Sequence, residues 1–166
     1  MAQEEHVDKL RDGVEVWNTW RAENSSIAPD LSGVDLSETH LADIHFAGAN
    51  LKGANLAGAW LERANFLAAN LEEANLEGAD LENATLSEAR LDRANLLVAN
   101  LAWANLERAT LTGATLERAN LEGARLIGTK LDGADFTGAY LTGTTPPVSE
   151  LPGIELHGVR VSSHRS

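Results

Sequence analysis

The sequence contains no cysteine and a single methionine. A disulfide framework, a Cys-based zinc or iron–sulfur site and a thiol nucleophile are thereby excluded. Basic residues are scarce too: 13 Lys and Arg stand against 25 Asp and Glu, for a formal charge of −12. Direct nucleic-acid binding needs a basic footprint on phosphate, so the charge argues against it. Apolar runs reach only a few residues, too short to span a membrane. The opening Met1-Ala2-Gln3-Glu4-Glu5 is acidic and does not read as the basic start of a signal peptide. The expectation is a soluble, cytoplasmic protein. Aromatic residues make up only 5%, whereas Ala (26) and Leu (25) together fill 51 of 166 positions.

That surplus is ordered. Stepping by five from Leu31 through Leu36, Leu41, Phe46 and Leu51 to Phe136 and Leu141 meets Leu or Phe at all 23 positions. Two residues earlier, all 16 positions from Ala49 to Ala124 are Ala. The slot between them is often Asn or Asp, as at Asn50, Asn55, Asn65, Asn70, Asn75 and Asp80. The unit reads Ala-(Asn/Asp)-Leu-x-x, with x-x polar or Gly in most copies.

A five-residue period suits neither regular backbone. On an α-helix, five steps of about 100° leave successive Leu residues roughly 140° apart, so the Leu set circles the helix. Glycines such as Gly53, Gly58, Gly113 and Gly123 weaken a helix further, by about 1 kcal/mol each. On a flat strand an odd period sends successive Leu residues to opposite faces. Both objections vanish if the chain turns a corner in every unit. Ala and Leu, two apart, then point inward together, and x-x forms the corner. Such a chain winds into a β-solenoid whose parallel coils stack about 4.8 Å apart.

These residues resemble the pentapeptide-repeat family, whose motif is A-(D/N)-L-x-x, over residues 29–143. The resemblance implies an all-β solenoid, a right-handed quadrilateral parallel β-helix with four units per turn. The central Leu or Phe and the Ala then face inward, and the other three positions face solvent. The stretch from Leu31 to Leu141 makes about five and a half turns, a rod of roughly 27 Å. Phe46 and Phe66, 20 residues apart, then stack on one face, and Asn55, Asn75 and Asn95 form a hydrogen-bonded ladder.

A solenoid has open ends, so caps are expected. Val7, Leu10, Val14 and Trp17 follow helical spacing, which predicts a helical cap within residues 1–28 that ends near Asn24-Ser25-Ser26. Gly13 weakens its middle. The segment Gly13-Val14-Glu15-Val16-Trp17-Asn18-Thr19-Trp20-Arg21 resembles a leader before some bacterial repeat arrays. Trp17 and Trp20 are expected to cover the core of the first coil. After residue 143, Thr144-Thr145-Pro146-Pro147 breaks the repeat, yet Leu151, Leu156 and Val161 regain its register, with Ile154 and Val159 two places earlier. Residues 144–166 are read as degenerate repeats, or as a cap and tail that folds over the last coil or pairs with another subunit.

No constellation points to catalysis. His40, Asp43 and His45 are the nearest to a metal set, but they fall on successive sides and read as solvated surface. No phosphate-binding loop appears, and no catalytic residue, cofactor or metal is expected. The surface remains. Trp60, Leu67, Leu97, Val98, Trp103, Ile127 and Tyr140 break the polar rule of the outward slots. Leu97, Val98 and Trp103 form a candidate patch, with Trp60 and Trp103 as candidate anchors for a protein partner. Glu62, Glu72, Glu77, Glu82 and Asp92 make a candidate acidic surface. Elsewhere signs alternate at a spacing of 20: Asp43 under Arg63, Glu73 under Arg93 and Glu88 under Arg108.

The leading expectation is a non-enzymatic, rod-like scaffold that binds an unidentified protein. The alternative, implied by the resemblance, is an acidic mimic of DNA that binds DNA gyrase or another type II topoisomerase. This chain departs from such members. They tend to be Phe-rich at the centre, where only 3 of the 23 centres here are Phe. They also commonly dimerise through an apolar C-terminal module, and this tail is short and polar at its end. Either a monomer or a dimer through the C-terminal end is compatible with it.

Overall fold

A computed structural model describes residues 3–152 and 157–161. From Leu31 onward one local conformation recurs. The N–H three residues after each centre donates back to the central carbonyl, as in Ala54 to Leu51 (3.0 Å) and Ala104 to Leu101 (3.1 Å). The residue two after the centre has positive φ at every corner from Gly33 to Gly143. Eleven are Gly and 12 are other residues, together all 23. This is the third position of a type II turn, which demands φ above zero. The x-x pair is therefore the corner.

Twenty residues close one coil. Residues before the centres pair in parallel with their equivalents 20 positions on, continuously from Asp30 with Asn50 to Arg125 with Thr145 and again at Tyr140 with Arg160. The central N–H donates forward, as Leu51 to Asn70 O (2.7 Å), and the N–H of Asn70 donates back to Ala49 O (2.9 Å). The period of five thus resolves into four sides, set by closure of the ladder rather than by the unit itself. Only three residues lie between successive corners. Among the described residues the pairing is consequently a series of 21 isolated bridges rather than extended strands.

The interior is the expected one. Central residues from Phe46 to Leu121 and the Ala register from Ala49 to Ala124 are buried. Phe46 stacks over Phe66 with ring centroids 5.5 Å apart. The Nδ2 groups of Asn75 and Asn95 donate to Oδ1 of Asn55 (3.2 Å) and Asn75 (3.0 Å), so the expected ladder forms, and Asn55 extends it to Asp35 (2.9 Å). At Thr129 the small-residue register carries a hydroxyl instead, and its Oγ1 donates to Leu106 O (2.8 Å).

The N-terminal segment is two helices rather than one, α1 (Glu4–Arg11) and α2 (Val14–Glu23). Gly13, at φ 102°, separates them. Acidic Glu4 and Glu5 open α1, and Lys9 and Arg11 close it, which suits the helix dipole. Trp17 is completely buried against Phe46, ring centroids 5.6 Å apart, and its Nε1 donates to His45 O (2.9 Å). Trp20 is half-buried and packs on Trp17 and His6, each at 5.3 Å. Leu10 is buried, and Val7 and Val14 pack against the core.

Beyond Thr145 the chain leaves the ladder through Pro146 and Pro147 and a short 3-10 turn, Val148–Glu150. It returns at His157 to Arg160: His157 O accepts from Gly138 N (3.1 Å), and Arg160 N donates to Ala139 O (2.9 Å). Leu151 and Val159 pack against the core. Ile154 and Leu156 lie outside the described residues.

Candidate functional site

Closure at 20 residues sorts the outward side chains into columns. Trp60, Trp103 and Tyr140, the exposed aromatic residues of the coils, all belong to the side whose centres run from Leu41 to Leu141. Trp60 is 42% exposed, and His40 stacks on it with centroids 3.7 Å apart and 9° between planes. Tyr140 (39% exposed) is in the same column and meets Arg160, whose Nη1 donates to its hydroxyl (2.8 Å). Trp103, the most open at 58%, stands at the trailing corner of this side. Its ring covers Gly123, one coil on, where an added Cβ would overlap the ring as it now stands. The signal for this grouping lies in residue numbers taken modulo 20, which the five-residue step does not reveal.

The three residues of the candidate patch are not in one column. Val98 and Trp103 occupy successive corners of one coil, both with positive φ, 51° and 59°. Val98 is 49% exposed, while Leu97 beside it is half-buried. Leu67 and Ile127 share a column on another side.

The acidic residues divide by what lies one coil away. Asp43 receives two hydrogen bonds from Arg63, at 2.8 and 2.7 Å, which hold its carboxyl below the usual range. Glu73 is held low in the same way by Arg93 (2.6 Å), with Lys52 nearby. Glu88 meets Arg108 at 3.8 Å. Glu72 of the candidate acidic surface is paired with both Lys52 (3.4 Å) and Arg90. Burial pushes the Asp92 carboxyl up, but hydrogen bonds from Thr110 Oγ1 (2.6 Å) and Thr112 N (3.0 Å) outweigh it, and the net shift is downward. Glu77 accepts from Asn95 (3.3 Å). Glu62 and Glu82 form a stacked like-charged pair with no cation within ion-pair distance among the described residues. Glu82 accepts from Asn83 (3.3 Å), and Glu62 Oε2 is buried without a partner.

His40, Asp43 and His45 serve separate purposes. His40 stacks on Trp60, Asp43 binds Arg63, and the backbone of His45 anchors α2. Among the described residues no group of three His, Asp or Glu is placed to hold a metal ion, and no helix is long and apolar enough to cross a membrane. Sequence reasoning missed the polar ties of the N-terminal helices. Asn18 bridges Asp43 O and His45 N (2.9 and 2.8 Å), and Arg21 Nη2 donates to Ala47 O (2.9 Å). No period marks these residues, because each serves one backbone group of one coil.

Among solved structures, trypsin-treated QnrB1, a plasmid-mediated fluoroquinolone resistance protein, is similar at 20% identity with a TM-score of 0.53. The match covers 84% of this chain and 68% of that one. HetL, a pentapeptide repeat protein involved in heterocyst differentiation regulation from the cyanobacterium Nostoc sp. strain PCC 7120, is 27% identical with a TM-score of 0.45. That match covers 69% of this chain and 61% of HetL, so it spans about three fifths of that protein's length. Rfr23 from the cyanobacterium Cyanothece 51142 is 27% identical with a TM-score of 0.35, over 87% of this chain and 93% of that one. No curated protein matches the sequence. The profile of pentapeptide repeats matches in 8 copies over residues 30–66, 68–97 and 99–138, and with the corner, ladder and core just described the chain belongs to the pentapeptide-repeat family.

Proposed function

We propose that the protein is a non-catalytic, cytoplasmic scaffold that binds a protein partner through its aromatic side. The carrying observation is that Trp60, Trp103 and Tyr140 all emerge on that one side of the solenoid. Exposed aromatic residues on a rigid frame make good anchors, since little side-chain entropy is lost on binding. In this reading residues 29–143 form the right-handed quadrilateral β-helix of the family, residues 1–28 cap it, and residues 144–166 complete its far end. Cross-linking in source-cell extract, with the parent and with Trp103→Glu, tests it. A partner captured by the parent and lost with Trp103→Glu at unchanged melting temperature is the expected result. Identical captured sets would remove the aromatic side as the contact.

A second reading is an acidic regulator of a type II topoisomerase. The charge of −12 favours it, as does the lack of an ion pair at Glu62 and Glu82 among the described residues, and QnrB1 shares the fold. The ion pairs at Asp43, Glu72, Glu73 and Glu107 count against a continuous phosphate-like stripe. A gyrase supercoiling assay decides: neither inhibition nor protection at micromolar protein would exclude this reading.

A further inference from the structure

The N-terminal edge of the first coil is covered on only two of its four sides. At Asp30 the N–H donates to His6 Nδ1 (3.1 Å) and the carbonyl accepts from Gln3 N (3.0 Å). At His45 the N–H donates to Asn18 Oδ1 (2.8 Å) and the carbonyl accepts from Trp17 Nε1 (2.9 Å). Asp35 and His40 are the equivalent residues on the other two sides. Among the described residues, neither their N–H nor their C=O groups have any partner. One coil below, the same positions are fully paired: Asn55 N donates to Val34 O (2.9 Å), and Asn55 O accepts from Leu36 N (2.7 Å).

Beside this open edge lies an apolar groove of about 620 Å³ between the helices and the coil, floored by Val7, Leu10, Val14, Val34, Leu36 and Leu41. Leu36 and Leu41 keep 8% and 5% exposure, whereas Leu56 and Leu61 beneath them have none. An unpaired edge next to an apolar floor matches the needs of an extended peptide: backbone pairs give affinity, and alternate side chains fill the groove. The rim is acidic. Asp35 and Glu38 are the carboxylates that line the groove, and Arg11 is the one Lys or Arg among its lining residues. Arg11 is itself tied to Asp8 at 2.8 Å. The occupant that complements this rim is basic.

We propose that the open half of the first coil is a docking edge for an extended basic-and-apolar segment of another protein, which adds to Asp35 and His40 as one further parallel half-turn. This edge adjoins the aromatic side at His40, whose ring stacks on Trp60, but it presents backbone groups, and Trp103→Glu leaves it untouched.

The probe is a fluorescein-labelled ten-residue peptide of two tandem units, with Leu at the centres and Lys in the outward slots. A second peptide carries Glu in place of Lys. Anisotropy with the full chain is expected to show saturable binding of the Lys peptide and binding of the Glu peptide weaker by about tenfold or more. His40→Pro removes the free N–H together with the ring stacked on Trp60 and is expected to weaken the Lys peptide by about tenfold, whereas His40→Ala, which loses the ring alone, is expected to bind as the parent does. Ile127→Ser, on another side and four coils away, is expected to bind as the parent does. Hydrogen exchange on the parent needs no variant: the Asp35 and His40 amides gain protection when the Lys peptide is added. Absence of saturable binding, or no gain of protection at these amides, overturns the proposal. So does a concentration-dependent dimer that His40→Pro dissolves, since the edge then belongs to a second copy of the chain.

Discussion

The six-membered ring of the Trp103 indole rests on Gly123, one coil further along the solenoid, where an added Cβ would sit 2.7 Å from Trp103 Cδ2. The most exposed aromatic side chain of the protein is therefore seated on its inner face and free on its outer one. A rigidly held ring is a better contact surface than a mobile one, because less entropy is lost on binding.

Gly123→Ala is expected to unseat this ring. The corner φ of +67° already disfavours Ala by about 1–2 kcal/mol, and the ring must move as well. Gly78 is the control: its φ is +64°, but nothing lies within 4 Å of an added Cβ. Urea unfolding should show both variants destabilised, Gly123→Ala more than Gly78→Ala. Tryptophan emission should change only in Gly123→Ala. Equal losses with unchanged emission would mean that the ring yields freely.

Val98 is a β-branched residue held at φ 51°, the least comfortable of the 12 non-glycine corners. Val98→Gly is expected to raise stability by about 0.5–1 kcal/mol, against the usual penalty for glycine, because relief of the corner outweighs the added freedom of the unfolded chain. Denaturant midpoints of parent and variant measure this. A loss of stability would show that packing of the Val98 side chain outweighs the strain.

Trp17→Ala removes a fully buried ring from Phe46 and leaves the His45 carbonyl without its Nε1 donor. The expected cost is about 3–5 kcal/mol. Native-state hydrogen exchange should localise it, with amides of the first coil losing protection before those near Leu76. Uniform loss along the rod would mean that the array unfolds as a single unit.

Acid weakens the ion pair between Asp43 and Arg63. The folded-state pKa of Asp43 is lowered, chiefly by hydrogen bonds from Arg63, so its stabilisation is present above the unfolded value of about 4. It disappears as pH falls through the lower folded value. Asp43→Asn should accordingly differ most from the parent at neutral pH and converge with it at strongly acid pH. A difference that persists unchanged into acid would assign the effect to Asn packing rather than to charge.

Much of this molecule is written locally. The corner after Leu51 needs only Lys52 and Gly53, and the inward pair Ala49 and Leu51 needs only its spacing of two. Burial of both registers was legible for that reason, as was the Asn55, Asn75 and Asn95 ladder once four units per turn were taken from the family resemblance. The single predicted helix became two, because Gly13 takes a φ that no helix allows. The ties from Asn18 and Arg21 to Asp43, Ala47 and His45 were not legible, because each joins residues about 26 apart through one side chain on one coil.

Taken alone, the sequence determined the five-residue step, the inward registers and the absence of a thiol or a basic footprint. Each of these rests on residue type and near-neighbour geometry. Only the tertiary structure decided that Trp60, Trp103 and Tyr140 share a side, that Lys52 and Arg90 neutralise Glu72, and that α1 and α2 leave Asp35 and His40 uncovered. These depend on where the coil closes, and closure is set by hydrogen bonds between residues 19 to 21 apart. No single unit carries that information.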